Sequence, residues 1–179
     1  VFNMVTGIYR PTAGRILFHS QRGGSSINIT NMPVHKVCRL GIARTFQNIR
    51  LFTDMPVLEN VKVGLHARTS SSVLGAVATL PGTVREEVAV EAAAIHYQDF
   101  VGLMHSATDL ADTLAYGDQR CLELSRALAT HPGLLLLDEP AAGMNPHETE
   151  ALMELIGKIR ATGITGFLIE HDVQLGRKR

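Results

Sequence analysis

With 17 basic and 17 acidic side chains among 179 residues, the chain presents no net field that would draw it to nucleic acid or anionic lipid. A hydrophobic share of 45% and a charged share of 19% exclude a disordered chain and are enough for a real core. No run approaches the roughly 18 to 20 apolar residues that span a bilayer. The two cysteines lack metal-ligand spacing and no two of the eight histidines lie four apart, which argues against a metal site and for a reduced cytosolic protein.

In chain order, residues 1–6 read as the tail of a helix stopped at Gly7. A turn at residues 11–14 leads to a short strand at 15–18. A polar, glycine-rich loop at 21–26 then leads to a return strand at 27–29, so that a small antiparallel sheet is expected at the edge of the core. Residues 33–40 predict one or two helical turns ending at Gly41, followed by a strand at 42–46 that closes on the polar Gln47. From 57 to 129 the pattern is helical. Residues 68–72 and Pro81-Gly82 mark an expected mobile insertion, and Ala93, Tyr97, Phe100 and Met104 form a one-face stripe over residues 86–104. A further helix over 118–129 carries Cys121, Leu124 and Leu128.

Leu134-Leu135-Leu136-Leu137, bounded by Pro132-Gly133 and Pro140, predicts a strand buried on both faces, as in the middle of a parallel sheet. It runs directly into two carboxylates, Asp138 and Glu139. Asn145, Pro146 and Glu148 then form a helix start with a capping box, and Leu152, Leu155, Ile156 and Ile159 supply its buried stripe before Gly163 ends it. A strand over 165–169 delivers Glu170 and His171 at its carboxyl end. Strand, helix, strand at this spacing is a right-handed parallel crossover, which brings Asp138, Glu139 and His171 to one sheet edge. Open α/β sheets bind ligands at that edge. Two acids there divide the labour, one holding Mg²⁺ through water and the other activating a nucleophile. Taken alone, the heptapeptide 134–140 is equally a buried strand running into an acidic turn; its neighbourhood decides between the two.

That neighbourhood resembles the ATP-binding subunits of ABC transporters, in five blocks that keep the family's order across nearly the whole chain. Arg44-Thr45-Phe46-Gln47 resembles the Q-loop, and residues 51–61 resemble the sequence that follows it. Leu114-Ala115-Tyr116-Gly117-Asp118-Gln119-Arg120 resembles the signature motif. Residues 134–139 resemble the Walker B strand with its catalytic glutamate. Ala142-Gly143-Met144-Asn145 resembles the D-loop, and Ile169-Glu170-His171-Asp172 the switch-histidine segment. The chain departs from the common Leu-Ser-Gly-Gly-Gln signature, with Ala115 for the serine, Tyr116 for the first glycine and Asp118 for the glutamine; Asn145 stands for the usual D-loop aspartate. These departures, with residues 138–146, resemble the branch that serves bacterial branched-chain amino acid importers.

The resemblance implies an α/β fold: a P-loop NTPase-like parallel sheet core with an edge antiparallel β subdomain and an inserted helical subdomain. Residues 1–47 and 131–179 would be core and β subdomain, and 48–130 the helical subdomain, of one partial ABC-type ATPase domain. ATP and Mg²⁺ are the implied ligands. Asp138 would hold the hydrated metal, with Gln47 touching metal or water. Glu139 would polarise the attacking water and His171 sense the γ-phosphate, while Leu114, Ala115, Tyr116, Gly117, Asp118 and Asn145 face nucleotide. The implied partners are a second ATP-binding subunit, two permease subunits and, at one remove, an extracytoplasmic binding protein, without nucleic acid, at the cytoplasmic face of the bacterial inner membrane. No Gly-x-x-x-x-Gly-Lys-[Ser/Thr] phosphate cradle occurs in these residues, and the chain opens on Val1 in mid-pattern, so it reads as a fragment inactive alone. Two other classes remain: a non-catalytic module that binds a partner through the helical arm, and the ATPase head of a DNA-repair or chromosome-structure protein.

Overall fold

A computed structural model describes residues 1–19, 24, 26–66 and 81–169, with the side chains of 81–84 left out. In chain order the regular elements are α1 (Phe2–Val5), β1 (Leu17–His19), β2 (Ser26–Asn28), α2 (Val34–Arg39), β3 (Ile42–Arg44), α3 (Val57–His66), α4 (Pro81–Phe100), α5 (Tyr116–Ala129), β4 (Leu134–Asp138), α6 (Pro146–Ala161) and β5 (Thr165–Ile169). They divide into two compact units, one of residues 1–48 with 131–179 and one of residues 49–130.

The first unit is built around β4. It lies between β3 and β5, parallel to both, in the order β3-β4-β5. Leu135, Leu136 and Leu137 are almost completely buried, and successive residues serve opposite faces of the sheet. Leu136 packs with Phe2, Ile29, Val37 and Ile42. On the other side Leu135 and Leu137 line a groove with Ile156, Ile159 and Leu168. A strand apolar on both faces needs cover on both, and α6 with the segments around α1, α2 and the β1-β2 hairpin provides it.

Local signals set the ends of these elements. The Asn145 side chain accepts from the Glu148 N–H while the Glu148 carboxylate accepts from the Asn145 N–H, so the expected capping box is closed, with Pro146 in the first position. Leu152, Leu155 and Ile159 are the buried residues of α6, with Ile156 half-buried. Gly7, Gly41 and Gly163 take positive φ just past α1, α2 and α6. β1 and β2 pair antiparallel, with Phe18 opposite Ile27. They are shifted by one residue or so from the strands expected at 15–18 and 27–29, and most of the loop expected at 21–26 lies outside the described residues. β3 ends at Arg44 rather than at residue 46.

The second unit is a helical cluster in which Val57, Val61 and Leu65 of α3 meet Val90 and Ala94 of α4 and Leu122 and Ala129 of α5. Pro81-Gly82 opens α4 instead of lying in an insertion: proline costs nothing in the first turn of a helix, where its missing N–H has no partner to lose. Residues 67–80, including the expected insertion at 68–72, lie outside the described residues. The buried face of α4 is Val90, Ala94 and Gln98, with Ala93 and Tyr97 on its flank. Met104 falls beyond the helix end and is exposed, so the expected stripe is rotated. Gln98 reaches this face because its amide donates to Leu103 O at 3.3 Å.

The coil before α3 is held by one side chain. Asn60, fully buried, accepts from Phe52 N–H at 2.9 Å, and its amide nitrogen lies 3.0, 3.1 and 3.2 Å from the carbonyl oxygens of Phe52, Met55 and Pro56. Arg126 on α5 adds to this by stacking over the Phe52 ring and donating to Arg50 O.

α3 and α5 approach closely at Gly64, where an added Cβ would sit 2.4 Å from Arg126 O and 3.0 Å from the Ala129 Cβ. Alanine is the better helix former by about 1 kcal/mol, yet overpacking of this kind costs about 1–3 kcal/mol, and here the obstacle is backbone. Gly64→Ala is therefore expected to lower stability by about 1 kcal/mol or more, and urea unfolding followed by circular dichroism measures it. An unchanged midpoint would mean that the two helices separate freely.

Candidate active site

The carboxyl end of β4 is where the sheet turns polar. Asp138 is the last residue of the strand, opposite Ile169 of β5, and its side chain is 23% exposed. Glu139 follows with φ +46, a left-handed conformation rare for a residue with a side chain and costing about 1 kcal/mol or more. Two hydrogen bonds hold it there: its N–H donates to Ile169 O at 2.9 Å and its carbonyl accepts from Ala142 N–H at 3.1 Å. The chain thus leaves the sheet in a single residue, with both carboxylates at the edge.

Each carboxylate meets a group from the end of β3. The Gln47 amide Nε2 donates to a Glu139 carboxylate oxygen at 3.0 Å. The Arg44 guanidinium donates to Asp138 Oδ2 at 2.7 Å and, through its other terminal nitrogen, to the Asn3 side-chain oxygen. It also lies 5.5 Å from the centroid of the Phe2 ring and 5.1 Å from that of Phe46. Arg44 is the residue that sequence reasoning missed. It stood there only as a flank of Gln47, and the signal was a cation at a strand end, whose carboxylate partner depends on the parallel register Arg44↔Leu136.

Among the described residues no group of three or more His, Cys, Asp or Glu is arranged to hold a metal. The donors at the β4 end are oxygens of one or two carboxylates and an amide. That set fits Mg²⁺, which keeps most of its waters and takes further ligands from substrate phosphates, and does not fit a metal caged entirely by protein.

Asn145 caps α6 in the same unit, so its side-chain oxygen is occupied by the Glu148 N–H. Leu114, Ala115, Tyr116, Gly117 and Asp118 belong to the helical unit. Ala115 is the cap residue of α5 and gives no side-chain hydrogen bond; the helix opens at Tyr116, two residues before the expected start. Gly117 and Asp118 therefore sit in its first turn, where the acidic side chain complements the helix dipole. Tyr116 stacks on Arg120, whose guanidinium donates to the Tyr116 hydroxyl at 3.2 Å and to Glu123 at 3.0 Å. Arg120 and Glu123 are both buried. Cys121 is half-buried rather than in the core of the helix face. His171 and Glu170 lie outside the described residues.

Residues 1–142 match the ABC transporter family. The chain belongs to that family. The ABC transporter relatives it resembles include the high-affinity branched-chain amino acid transport ATP-binding protein BraF of Pseudomonas aeruginosa, 43% identical over 176 residues that make up 98% of this chain and 67% of that protein. LivG of Escherichia coli K12, with the same description, is 40% identical over the same shares. Among solved structures, an ATP-binding cassette of an ABC transporter in its ADP conformation superposes with a TM-score of 0.76 at 30% identity, over 97% of this chain and 65% of that one. A nucleotide-free ATP-binding cassette gives 0.75 at 30%, over 97% and 65%. The chain thus spans about two thirds of the length of these ABC relatives. The expected fold class stands, with a parallel sheet, an antiparallel strand pair and helices. No helix of the described residues is long and apolar enough to cross a membrane.

Burial pushes the Cys121 thiol up to about 11, with the Asp118 charge adding to the effect. The thiolate is the reactive form, so at pH 8 Cys121 is expected to react with iodoacetamide at least about tenfold more slowly in the folded chain than in urea. The folded-state rate should climb as pH rises towards 11. Peptide mapping after timed alkylation measures it, and equal rates in both states would show the thiol to be open.

Proposed function

We propose that this chain is part of an ATP-binding, ATP-hydrolysing subunit that powers import of branched-chain amino acids. The observation that carries the reading is the end of β4, where two consecutive carboxylates leave a buried parallel strand and the second is held by Gln47. The transport role of BraF and LivG, at 43% and 40% identity, supports the substrate class.

Mg²⁺ arriving with ATP would offset charge on the phosphate oxygens during transfer. Asp138 would hold the cation through its carboxylate. Glu139 orients the attacking water and accepts its proton, and the Gln47 amide fixes one oxygen of that carboxylate so that the water meets a single geometry. His171, on the sequence alone, donates to the γ-phosphate. The first turn of α5 directs N–H groups and the positive end of its dipole at the nucleotide of a second subunit, with Tyr116 and Ala115 in place of the common side chains. Asn145, on the sequence alone, faces nucleotide as well, from the cap of α6. Two permease subunits, and through them an extracytoplasmic binding protein, complete the assembly at the cytoplasmic face of the membrane.

Glu139→Gln in a full-length subunit carrying this sequence is expected to retain ATP binding and lose turnover by a factor on the order of 10² or more. The amide keeps the size of the side chain and cannot take the water's proton. Phosphate release beside nucleotide binding reads both quantities. Hydrolysis within tenfold of the parent would remove Glu139 from the reaction.

The 179 residues themselves hold no Gly-x-x-x-x-Gly-Lys-[Ser/Thr] cradle. Most phosphate affinity in such folds comes from the backbone N–H groups and lysine of that loop. Isothermal titration of this chain with Mg-ATP is accordingly expected to show no binding in the micromolar range, whereas a longer form that includes such a loop binds. Micromolar binding by the 179 residues would count against the cassette reading of the site.

A further inference from the structure

Arg44 has no part in the chemistry described so far, yet it touches the carboxylate that chemistry depends on. Its guanidinium donates to Asp138 Oδ2 at 2.7 Å. Other contacts keep it there: the side-chain oxygen of Asn3, the Phe2 ring at 5.5 Å and the Phe46 ring at 5.1 Å. The side chain is only 10% exposed. Arginine keeps its charge at every pH a protein survives, and a guanidinium held by two hydrogen-bond partners and two rings does not swing aside like a surface lysine. The pair is therefore a fixed charge beside Asp138, not one of the transient ion pairs of a protein surface.

A strand end with two consecutive carboxylates is, left to itself, an attractor for any divalent cation in solution. A positive charge in hydrogen-bond contact with one of them cancels much of the field such a cation would feel. We propose that Arg44 is a built-in counter-ion that keeps Asp138 from taking up a free divalent cation, so that the metal enters only in company with a nucleotide. A nucleotide's phosphates bring the missing ligands and negative charge, and they tip the balance that Arg44 sets against the bare ion. The proposal rests on the reading of Asp138 as the residue that meets Mg²⁺. It assigns to Arg44 a positioning and charge-setting role, with no contact to substrate.

The test is a Mn²⁺ titration of the full-length protein without nucleotide, followed by the electron paramagnetic resonance signal of the free ion. Arg44→Met keeps a stem of similar volume between the two rings and removes the charge; it is expected to bind Mn²⁺ at least about tenfold more tightly than the parent. Arg44→Lys keeps the charge without the planar fork and is expected to stay within about threefold. Arg44→Met combined with Asp138→Asn should lose the gain. Where Arg44→Met does not fold, as judged by thermal melting, Arg44→Gln takes its place. Unchanged Mn²⁺ affinity in the neutral variant, or a gain that survives Asp138→Asn, would overturn the proposal, as would an Arg44→Lys variant that tightens as much as the neutral one. The titration contains no ATP and records no turnover, so its result does not depend on whether Glu139 hydrolyses anything. Asp138→Asn alone, titrated with Mn²⁺ in the presence of ATP, reads the underlying assignment separately: no change there would remove Asp138 from the metal site and the proposal with it.

Discussion

Burial of β4 on both faces is the constraint from which the site follows. Leu135, Leu136 and Leu137 are almost wholly enclosed, so the strand has no lateral surface on which a polar group could be tolerated. Polar function is confined to its end, and Asp138 and Glu139 occupy that end. The same burial requires a hydrogen-bonded neighbour on each side, and each neighbour contributes there. β3 brings Arg44, and β5 brings the Ile169 carbonyl that holds Glu139 in its left-handed turn. A substitution that loosened the packing of β4 would therefore reach the carboxylates through the strands beside it, without any contact of its own.

The two carboxylates are adjacent in sequence yet are given different company. Asp138 faces a fixed cation and Glu139 a neutral amide, and both partners come from the four-residue stretch Arg44-Thr45-Phe46-Gln47. One short stretch after β3 thus sets the electrostatic surroundings of both. The helical unit handles buried polarity in another way, by local closure. Gln98 bonds to a carbonyl five residues on, and Arg120 bonds within its own helix to Tyr116 and Glu123.

What could be read from the chain alone divides along the range of the interactions. The cap of α6 was legible because Asn145, Pro146 and Glu148 carry the whole device within four residues. The central strand was legible because four leucines between turn residues have few other fates. α4 was misread at both ends for physical reasons. Pro-Gly is a turn signal in general and a helix start in this context, and a buried glutamine cannot announce itself in an apolar pattern when its partner is a backbone carbonyl. The Arg44–Asp138 pair spans 94 positions and exists only through the pairing of β3 with β4. Locally that arginine is only a cation at a strand end, and its carboxylate partner is set by the register of β3 on β4. The family resemblance supplied the order of the motifs, but not the contact between two of them.

Asn60 has a consequence for where this part of the molecule tolerates change. Coil segments are ordinarily where proteins accept insertions and deletions, because their backbone groups bond to water and can shift without loss. The coil from Phe52 to Pro56 lacks that freedom, since one buried amide holds the Phe52 N–H and faces the carbonyl oxygens of Phe52, Met55 and Pro56. A single residue added within it would put several of those groups out of register together and leave a buried amide unsatisfied. Its length is accordingly as constrained as that of a helix, and growth or shrinkage of the helical unit is confined to connections whose backbone no side chain has claimed.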